Sequence, residues 1–213
     1  MGAEQAAGGW ADADPFSLAG DDARIAFWLN VYNEVVTREI GGGRRTGTLL
    51  RHRGMFRRMN FAVGGLDYTL DVIEHGLLRG NARPPYSLRK ILRAGDPRLA
   101  AAPSKPDPRI HFALNCGARS CPPRRRYEAA GLDSQLELAT RGYLEAECDF
   151  DREGGAVVLP GLMKLYRSDF GSKEEQIEFA AAHLPEQAGW LRHSGGDLRL
   201  GYSRFDWTIV PAG

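Results

Sequence analysis

Residues 59–70 read Met59-Asn60-Phe61-Ala62-Val63-Gly64-Gly65-Leu66-Asp67-Tyr68-Thr69-Leu70. Two short arms with alternating apolar residues flank a Gly-Gly pair, a pattern typical of a β-hairpin with a two-residue turn. Strands that pair locally therefore accompany the helices that the rest of the chain predicts. We expect an α+β fold in which helices surround a small, mainly antiparallel sheet.

Helical patterns lie on both sides of this hairpin. Before it, apolar residues recur at helical spacing from Ile25 to Val36, with Asp21 or Asp22 as the cap and Gly41-Gly42-Gly43 as the end. After it, we predict short helices from Asp71 and over Ser87–Ala94. The remaining predicted elements are helices over 132–145, 162–170 and 174–184, and strands over 156–159, 198–202 and 205–209.

The composition indicates an ordinary globular protein. The chain has 213 residues, 43% of them hydrophobic, and a formal net charge of +1. We expect one domain over residues 21–213 after a weakly ordered N-terminal arm over 1–20. The near-neutral net charge does not indicate nucleic-acid binding. No apolar run is long enough to cross a membrane. No signal peptide is recognisable, so the sequence predicts a cytoplasmic location unless a leader has been removed.

The segment with the most chemistry is Asp107-Pro108-Arg109-Ile110-His111-Phe112-Ala113-Leu114-Asn115-Cys116-Gly117-Ala118-Arg119-Ser120-Cys121-Pro122-Pro123. It carries one of the five histidines and two of the three cysteines. The run from His111 to Cys116 has β character. If it forms a strand, His111 and Asn115 share one face and Cys116 points with the apolar side chains.

The second cysteine of this segment occupies a different predicted setting. Pro122 suits the first position of a helical turn, which would make Cys121 its cap. Backbone N–H groups and the positive helix end would then lower the pKa of the Cys121 thiol. Arg119 and Arg124–Arg126 would act in the same direction.

Three interpretations of the two thiols stay open. In the first, a thiol is a nucleophile, His111 or His75 is its base, and an Asn, Asp or Glu orients that base. In the second, Cys116 and Cys121 form a dithiol/disulfide redox site, although their four-residue spacer exceeds that of the common redox motif. In the third, the two thiols have a structural role only, either packed in the protein or bonded to each other. Zinc-ligand spacing is missing, and we expect neither a metal nor a cofactor.

Other polar residues are candidates for the same site. Asn30 and Asn33 lie one turn apart in a predicted helix, either bonded to neighbouring backbone or facing the cleft as an oxyanion donor. Glu74 and His75 are a candidate acid/base pair, although adjacent helical residues seldom face one site. The acidic neighbours of Cys148 would raise the pKa of that thiol, so we expect it to be inert.

Taken together, these motifs resemble the domain of unknown function family 547 over roughly residues 20–209. The resemblance is carried by Phe27–Asn33, Tyr68–Arg79, Asp107–Cys116, Ser120–Pro123 and Phe205–Trp207. It implies that Asn30, Asn33, Glu74, His75, His111, Cys116 and Cys121 line one cleft. The family has no established general activity. A remote likeness to the papain or transglutaminase fold is a hypothesis by analogy.

The leading functional hypothesis is Cys-dependent hydrolysis or acyl transfer on an amide, peptide or thioester. A thiolate of Cys121 or Cys116 would attack the carbonyl, with His111 or His75 as base and Glu74 as a further catalytic carboxylate. Asn30, Asn33, Asn115 and Arg119 would bind the substrate, a small molecule or a peptide. The alternatives are a non-catalytic binding or scaffold module with a Cys116–Cys121 disulfide, and a thiol/disulfide redox domain. A protein partner stays open.

Overall fold

A computed structural model describes residues 9–41, 45–194 and 197–210. These residues form two compact units. The first comprises the described residues up to 135 together with 206–210, and the second comprises the described residues of 136–205. The expected arm over 1–20 and single domain over 21–213 stay predictions. No helix in the described part of the chain is long and apolar enough to cross a membrane.

Helix α1 spans Gly20–Gly41 in the first unit. Asp21 and Asp22 lie in its first turn, where negatively charged carboxylates stabilise the positive end of the helix dipole. Its apolar stripe, which includes the fully buried Trp28, packs into the core, and the indole of Trp28 donates to the carbonyl of Ala101 over 2.9 Å. The predicted helix is confirmed, but Asp21 and Asp22 lie inside its first turn and neither is its cap, and the carboxylate of Asp21 accepts from Ser104 and Lys105 instead. The glycines at 42–43 lie outside the described residues.

The predicted hairpin is also confirmed. Strand β1 (Phe61–Val63) pairs with strand β2 (Leu66–Tyr68) in an antiparallel register. Gly64 and Gly65 connect them with φ values of +57° and +75°, the left-handed conformation that this type of turn requires at both positions. A short helix, α2 (Gly54–Arg58), precedes the hairpin.

A π-helix over Val72–Leu78 follows the hairpin where a short helix was predicted. Every residue of this π-helix is buried, including Glu74 and His75. π-Helical turns are often found at functional sites. The helix predicted over Ser87–Ala94 is wrong, because that segment has no regular structure and Leu88 is 88% exposed. The side chain of Asn81, which both donates to and accepts from the backbone of Leu92, holds the segment instead.

The strand predicted over 111–116 is wrong. A 3₁₀ helix covers Pro108–Phe112, and residues 113–116 belong to no strand. The side chain of Asp107 caps this helix by accepting from the amide of Arg109, and Pro108 provides a suitable φ at its start. These start signals override the β-like apolar run. A second 3₁₀ helix spans Pro97–Ala101, and a third spans Leu49–Arg51.

The closing segment of the first unit lies between two loops. Instead of the predicted strand over 205–209, it makes isolated bridges from Thr208 to Thr48 and from Ile209 to Ala118. The amide of Arg119 donates to the carbonyl of Thr208 over 2.8 Å. This pairing supports the backbone of the loop that carries the two thiols.

The second unit contains a three-stranded mixed sheet and several helices. Strand β3 (Asp149–Asp151) pairs antiparallel with β4 (Ala156–Leu159), which pairs parallel with β5 (Arg199–Tyr202). A capping box between Ser172 and Glu175 starts helix α6 (Lys173–His183). The helices are α3 (Leu132–Glu147, which enters from the first unit), α4 (Gly161–Leu165), α5 (Arg167–Phe170), α6 (Lys173–His183) and α7 (Pro185–Ser194).

The α+β prediction is therefore confirmed. The sequence did not identify α7 or β3. The helix expected over 162–170 is divided into α4 and α5 at Tyr166. The papain or transglutaminase likeness stays a hypothesis.

Candidate functional site

Two asparagines of α1 hold the chain on either side of the thiols. Asn33 donates from Nδ2 to the carbonyl of Ala113 over 3.0 Å and accepts at Oδ1 from the amide of Asn115 over 2.9 Å. Asn30 makes the same pair of bonds with the backbone of Tyr127, at 2.7 and 2.9 Å. Each amide thus has both its oxygen and its nitrogen bonded to backbone. The two side chains position the loop that carries the cysteines.

A third asparagine closes that loop. The Nδ2 of Asn115 donates to the carbonyl of Pro122 over 2.6 Å, and its Oδ1 accepts from the amide of Gly117 over 2.8 Å. The amide of Cys121 donates to the carbonyl of Ala118 over 3.0 Å. These bonds turn the chain back on itself, so that the second thiol returns to the first.

The two cysteine sulfurs are in direct contact. The Sγ atoms of Cys116 and Cys121 are 2.6 Å apart, and both residues are free cysteines with half-buried side chains. The backbone amide of Cys116 also donates to the sulfur of Cys121 over 3.1 Å. A disulfide has an S–S distance of about 2.05 Å. Only a small displacement of the side chains is therefore needed to join them.

The two thiols have opposite pKa shifts. Burial raises the pKa of Cys121, but hydrogen bonds from the Cys116 thiol and from the backbone amides of Ala118, Cys116 and Gly117 outweigh it, so that the pKa of Cys121 is lowered. The hydrogen bond with Cys121, burial and the negative charge of the Cys121 thiolate raise the pKa of Cys116 well above its ordinary value, with a smaller contribution from the charge of Glu74. The thiolate of the pair therefore forms on Cys121.

The lowered pKa of Cys121 does not come from a helix. The expectation that Cys121 caps a helix beginning at Pro122 is wrong, because residues 122–128 form no regular element. Consecutive amides of residues 116–118 surround the sulfur instead. Gly117 permits this arrangement with a φ of +87°, since a chain that alternates in this way can direct successive N–H groups at one anion.

Glu74 and His75 belong to a buried polar cluster on the π-helix. The hydroxyl of Tyr32 donates to Oε2 of Glu74 over 3.0 Å, and Oε1 of Glu74 is 3.7 Å from Nδ1 of His75. A guanidinium nitrogen of Arg79 is 2.9 Å from the same Nδ1. Because a guanidinium can only donate, Nδ1 accepts that bond, and the proton of neutral His75 is assigned to Nε2.

This tautomer argues against His75 as the base that takes a proton from a thiol. A ring that accepts at Nδ1 and carries its proton on Nε2 has no free lone pair to take a proton from a thiol. Glu74 acts on Cys116 through its charge. His111 is buried in the 3₁₀ helix over Pro108–Phe112. The strand face that it was expected to share with Asn115 does not exist.

Two arginines near the thiols differ in their surroundings. Arg119 is largely exposed, and its Nε lies 3.3 Å from a carboxylate oxygen of Asp206. Arg124 is half-buried, and its Nε is buried with no hydrogen-bond partner among the described residues. Burial lowers the pKa of Arg124, while the charges of Cys121 and Cys116 oppose that effect. The sequence indicated Arg124 only as one of several nearby positive charges.

The third cysteine has a different chemical character. Burial and the charge of Glu147 raise the pKa of the Cys148 thiol to about 12. It belongs to the second unit. At neutral pH it is protonated, as its acidic neighbours predicted. The described residues contain no cluster of three or more side chains suited to hold a metal ion.

Comparison with known proteins identifies a family and no individual relative. No curated protein matches the chain, and no solved structure matches it. The model of one family, described as "Protein of unknown function, DUF547", matches residues 16–144. The matched segment includes α1, the hairpin, the π-helix and both thiols of the site. The chain belongs to the DUF547 family of proteins of unknown function.

Proposed function

We propose that Cys116 and Cys121 carry out thiol–disulfide exchange with a small-molecule or peptide disulfide. The observation that carries the proposal is the 2.6 Å contact between the two sulfurs. The opposite shifts of the two pKa values support it, since exchange needs one thiolate to attack and a second thiol close enough to complete the reaction.

The reaction balances in two steps. The thiolate of Cys121 attacks one sulfur of the substrate disulfide, forms a mixed disulfide and releases the other half as a thiolate, which takes a proton from solvent. Cys116 then loses its proton to solvent, and its thiolate attacks the Sγ of Cys121. The Cys116–Cys121 disulfide forms and the second substrate thiolate leaves. Two protein thiols are oxidised and one substrate disulfide is reduced.

The hydrogen bonds around Cys121 also favour a direction. They stabilise a thiolate that exists only in the reduced protein. A stabilised reduced form makes a disulfide a stronger oxidant. We therefore infer that the oxidised pair readily accepts electrons from a dithiol. Run in reverse, the two steps above would then oxidise substrate thiols and regenerate the reduced pair.

Equilibration with glutathione buffers tests this proposal. Mass spectrometry after acid quenching should show a Cys116–Cys121 disulfide that forms and disappears with the glutathione ratio, in wild type and in Cys148→Ser alike. Cys116→Ser should accumulate a mixed disulfide on Cys121, because no second thiol can displace glutathione. Cys121→Ser should react slowly with oxidised glutathione. A pair that never bonds at any ratio, or that stays bonded at every ratio, contradicts exchange; the second result would favour a structural disulfide in a binding module.

The amide groups around Cys121 favour a second candidate, the Cys-dependent hydrolysis or acyl transfer predicted from the sequence. A thiolate held by backbone N–H groups can attack a carbonyl, and donors of this kind can stabilise the oxyanion that follows. His111, with Glu74, would handle the protons, because Nδ1 of His75 already accepts a bond from Arg79.

One variant separates the two candidates. Cys116→Ser removes the resolving thiol and so abolishes disulfide exchange, yet it leaves Cys121 able to form an acyl-enzyme. Retained turnover of an activated ester or thioester by Cys116→Ser, with loss in Cys121→Ser, would favour acyl transfer. Equal background rates in both variants and in wild type would eliminate it.

A further inference from the structure

Two segments of the first unit, residues 49–60 and 82–95, concentrate positive charge. The whole chain is close to balanced, with 28 basic and 27 acidic residues. These two segments carry eight basic residues and no aspartate or glutamate. All eight are exposed: Arg51, Arg53, Arg57, Arg58, Arg83, Arg89, Lys90 and Arg93. The near-neutral net charge of the chain thus conceals a strongly basic local surface.

The positive charge of these segments is not compensated by ion pairs. None of the eight side chains makes an ion pair with any residue in the described part of the chain. Exposed arginines of the second unit, such as Arg141 and Arg192, are matched by glutamates instead. The charge of Arg57 does act on Asp71, but that carboxylate is buried and accepts from the Tyr86 hydroxyl. An uncompensated surface of this kind attracts polyanions.

A cation–π contact joins the two segments. The guanidinium carbon of Arg57 lies 5.7 Å from the centroid of the Tyr86 ring. Arg53 is the N-cap of α2 and lies one turn before Arg57, so the two arginines share one side of that helix. We call the exposed residues of 49–60 and 82–95 the basic surface.

An aliphatic side chain projects from the basic surface. Leu88 is 88% exposed and lies at the tip of a tight turn, in which the Ser87 hydroxyl accepts from the amide of Arg89 over 3.0 Å. The segment is held beyond this turn by the two hydrogen bonds between Asn81 and the backbone of Leu92. Leu88 is therefore held in solvent, where covering it with a second surface would be favourable.

We propose that the basic surface docks the protein on a membrane rich in anionic phospholipids, with Leu88 inserted among the headgroups. Arginine and lysine side chains bind an anionic leaflet, and an apolar residue beside them can enter the boundary between headgroups and acyl chains. Three of the six large hydrophobic residues that are exposed among the described residues lie on this surface: Leu50, Tyr86 and Leu88. This binding is peripheral and needs no membrane-spanning helix.

The setting of Tyr86 favours a membrane over a nucleic acid. Proteins that hold single-stranded nucleic acids stack the bases on exposed aromatic rings. Within the two segments, all of which the structure describes, Tyr86 is the single exposed aromatic residue. Its ring is already engaged by Arg57 and, edge-on, by His75, and its hydroxyl donates to Asp71. An acidic protein segment could pair with the charges, but it would give no role to a projecting Leu88.

Sedimentation with vesicles tests the proposal on the whole chain under reducing conditions. Each basic residue near an anionic surface contributes about fivefold to the binding constant. Vesicles of phosphatidylcholine with about 30% phosphatidylserine should therefore bind the protein at least about tenfold more tightly than phosphatidylcholine alone. Raising the salt from about 0.1 to about 0.5 M should remove most of this binding. Equal binding to the two kinds of vesicle overturns the proposal.

Matched charge reversals locate the binding surface. Arg89→Glu/Lys90→Glu should weaken binding to the anionic vesicles by about tenfold or more. Arg125→Glu/Arg126→Glu reverses two exposed charges outside the basic surface and changes the net charge by the same amount, so it should have a clearly smaller effect. Equal losses in the two double variants would show a response to net charge alone and would overturn the proposal.

Leu88 separates membrane insertion from attraction of polyanions in general. Leu88→Ser should weaken binding to the anionic vesicles by about tenfold and keep the salt dependence, whereas Leu138→Ser, at an exposed leucine of the second unit, should bind like wild type. In Leu88→Trp, lipids brominated on their acyl chains should quench the added fluorescence; in Leu138→Trp they should not. Wild-type affinity in Leu88→Ser, or no quenching in Leu88→Trp, overturns insertion and the proposal with it.

Discussion

The backbone amide of Cys116 donates a hydrogen bond to the sulfur of Cys121 over 3.1 Å. The first cysteine therefore stabilises the thiolate of the second through its main chain as well as through its own thiol. A substitution at position 116 removes the thiol and leaves the amide. The two contributions can be separated by experiment.

Cys116→Ala should give Cys121 a higher pKa than Cys116→Ser does. Serine can still donate a hydrogen bond to the Cys121 sulfur, whereas alanine cannot, and the backbone donors are common to both variants. Thiolate absorbance against pH measures this in a Cys148→Ser background, where Cys121 is the single thiol. Equal Cys121 pKa values in the two variants would show that the thiol contact contributes nothing.

Asn115→Ala should destabilise the protein by about 2–3 kcal/mol, because the carbonyl of Pro122 and the amide of Gly117 lose their partners. Urea unfolding measures the loss. The same variant should raise the pKa of Cys121, since the amides that surround its sulfur are no longer held. Asn81→Gly is the control: it removes a two-bond amide contact to Leu92 far along the chain from the thiols and should leave the Cys121 pKa unchanged.

Gly117→Ala should destabilise more than Gly47→Ala. Both glycines have left-handed backbone, with φ of +87° and +82°, so each substitution costs about 1–2 kcal/mol in strain. At Gly117 a Cβ would also overlap the buried Ile40 side chain, whereas the space at Gly47 is open. Adding Ile40→Ala should recover part of the difference in a double-mutant cycle. Equal unfolding free energies for the two single variants would contradict the crowding.

Asp71 should make the protein less stable as the pH rises from about 4 to about 6. Burial raises the pKa of Asp71 to about 6, opposed by the Tyr86 hydrogen bond and the Arg57 charge and reinforced by Glu74. The folded state thus binds the Asp71 proton more tightly than the unfolded state, and stability declines until the group is ionised in both. A shift of about two pKa units corresponds to about 3 kcal/mol.

Asp71→Asn should remove this pH dependence. The measurement is the difference in unfolding free energy between the variant and wild type at pH values on either side of the transition, so that the other titrating groups cancel. Tyr86→Phe removes the hydroxyl that donates to the Asp71 carboxylate and should raise the Asp71 pKa further. A difference that does not vary with pH would contradict the raised pKa.

The fold was predictable where local chemistry decides it. The Gly64-Gly65 pair predicted a turn with left-handed backbone at both positions, as the structure has it. The apolar stripe of α1 predicted a helix. The thiol segment was not predictable in this way. Its apolar run favoured a strand, yet Asp107 and Pro108 started a 3₁₀ helix, and the backbone groups beyond it are satisfied by asparagine side chains.

The residues of the candidate site could be named from the sequence, but their arrangement could not. The contact between Cys116 and Cys121 depends on Asn30 and Asn33, which bind backbone about 80 to 97 residues away in the chain. Nothing in the local sequence encodes such partners. The unsatisfied Nε of Arg124 likewise depends on packing and has no sequence signature.

The clamp formed by Asn30 and Asn33 has one further consequence. One helix holds the chain on both sides of the thiol loop, so we expect the distance between the two arms to be set by the backbone and to change little when the sulfurs bond. Gaining or losing two electrons would then leave the outline of the protein unchanged. A partner that distinguishes the oxidised from the reduced protein would have to touch the sulfur atoms themselves.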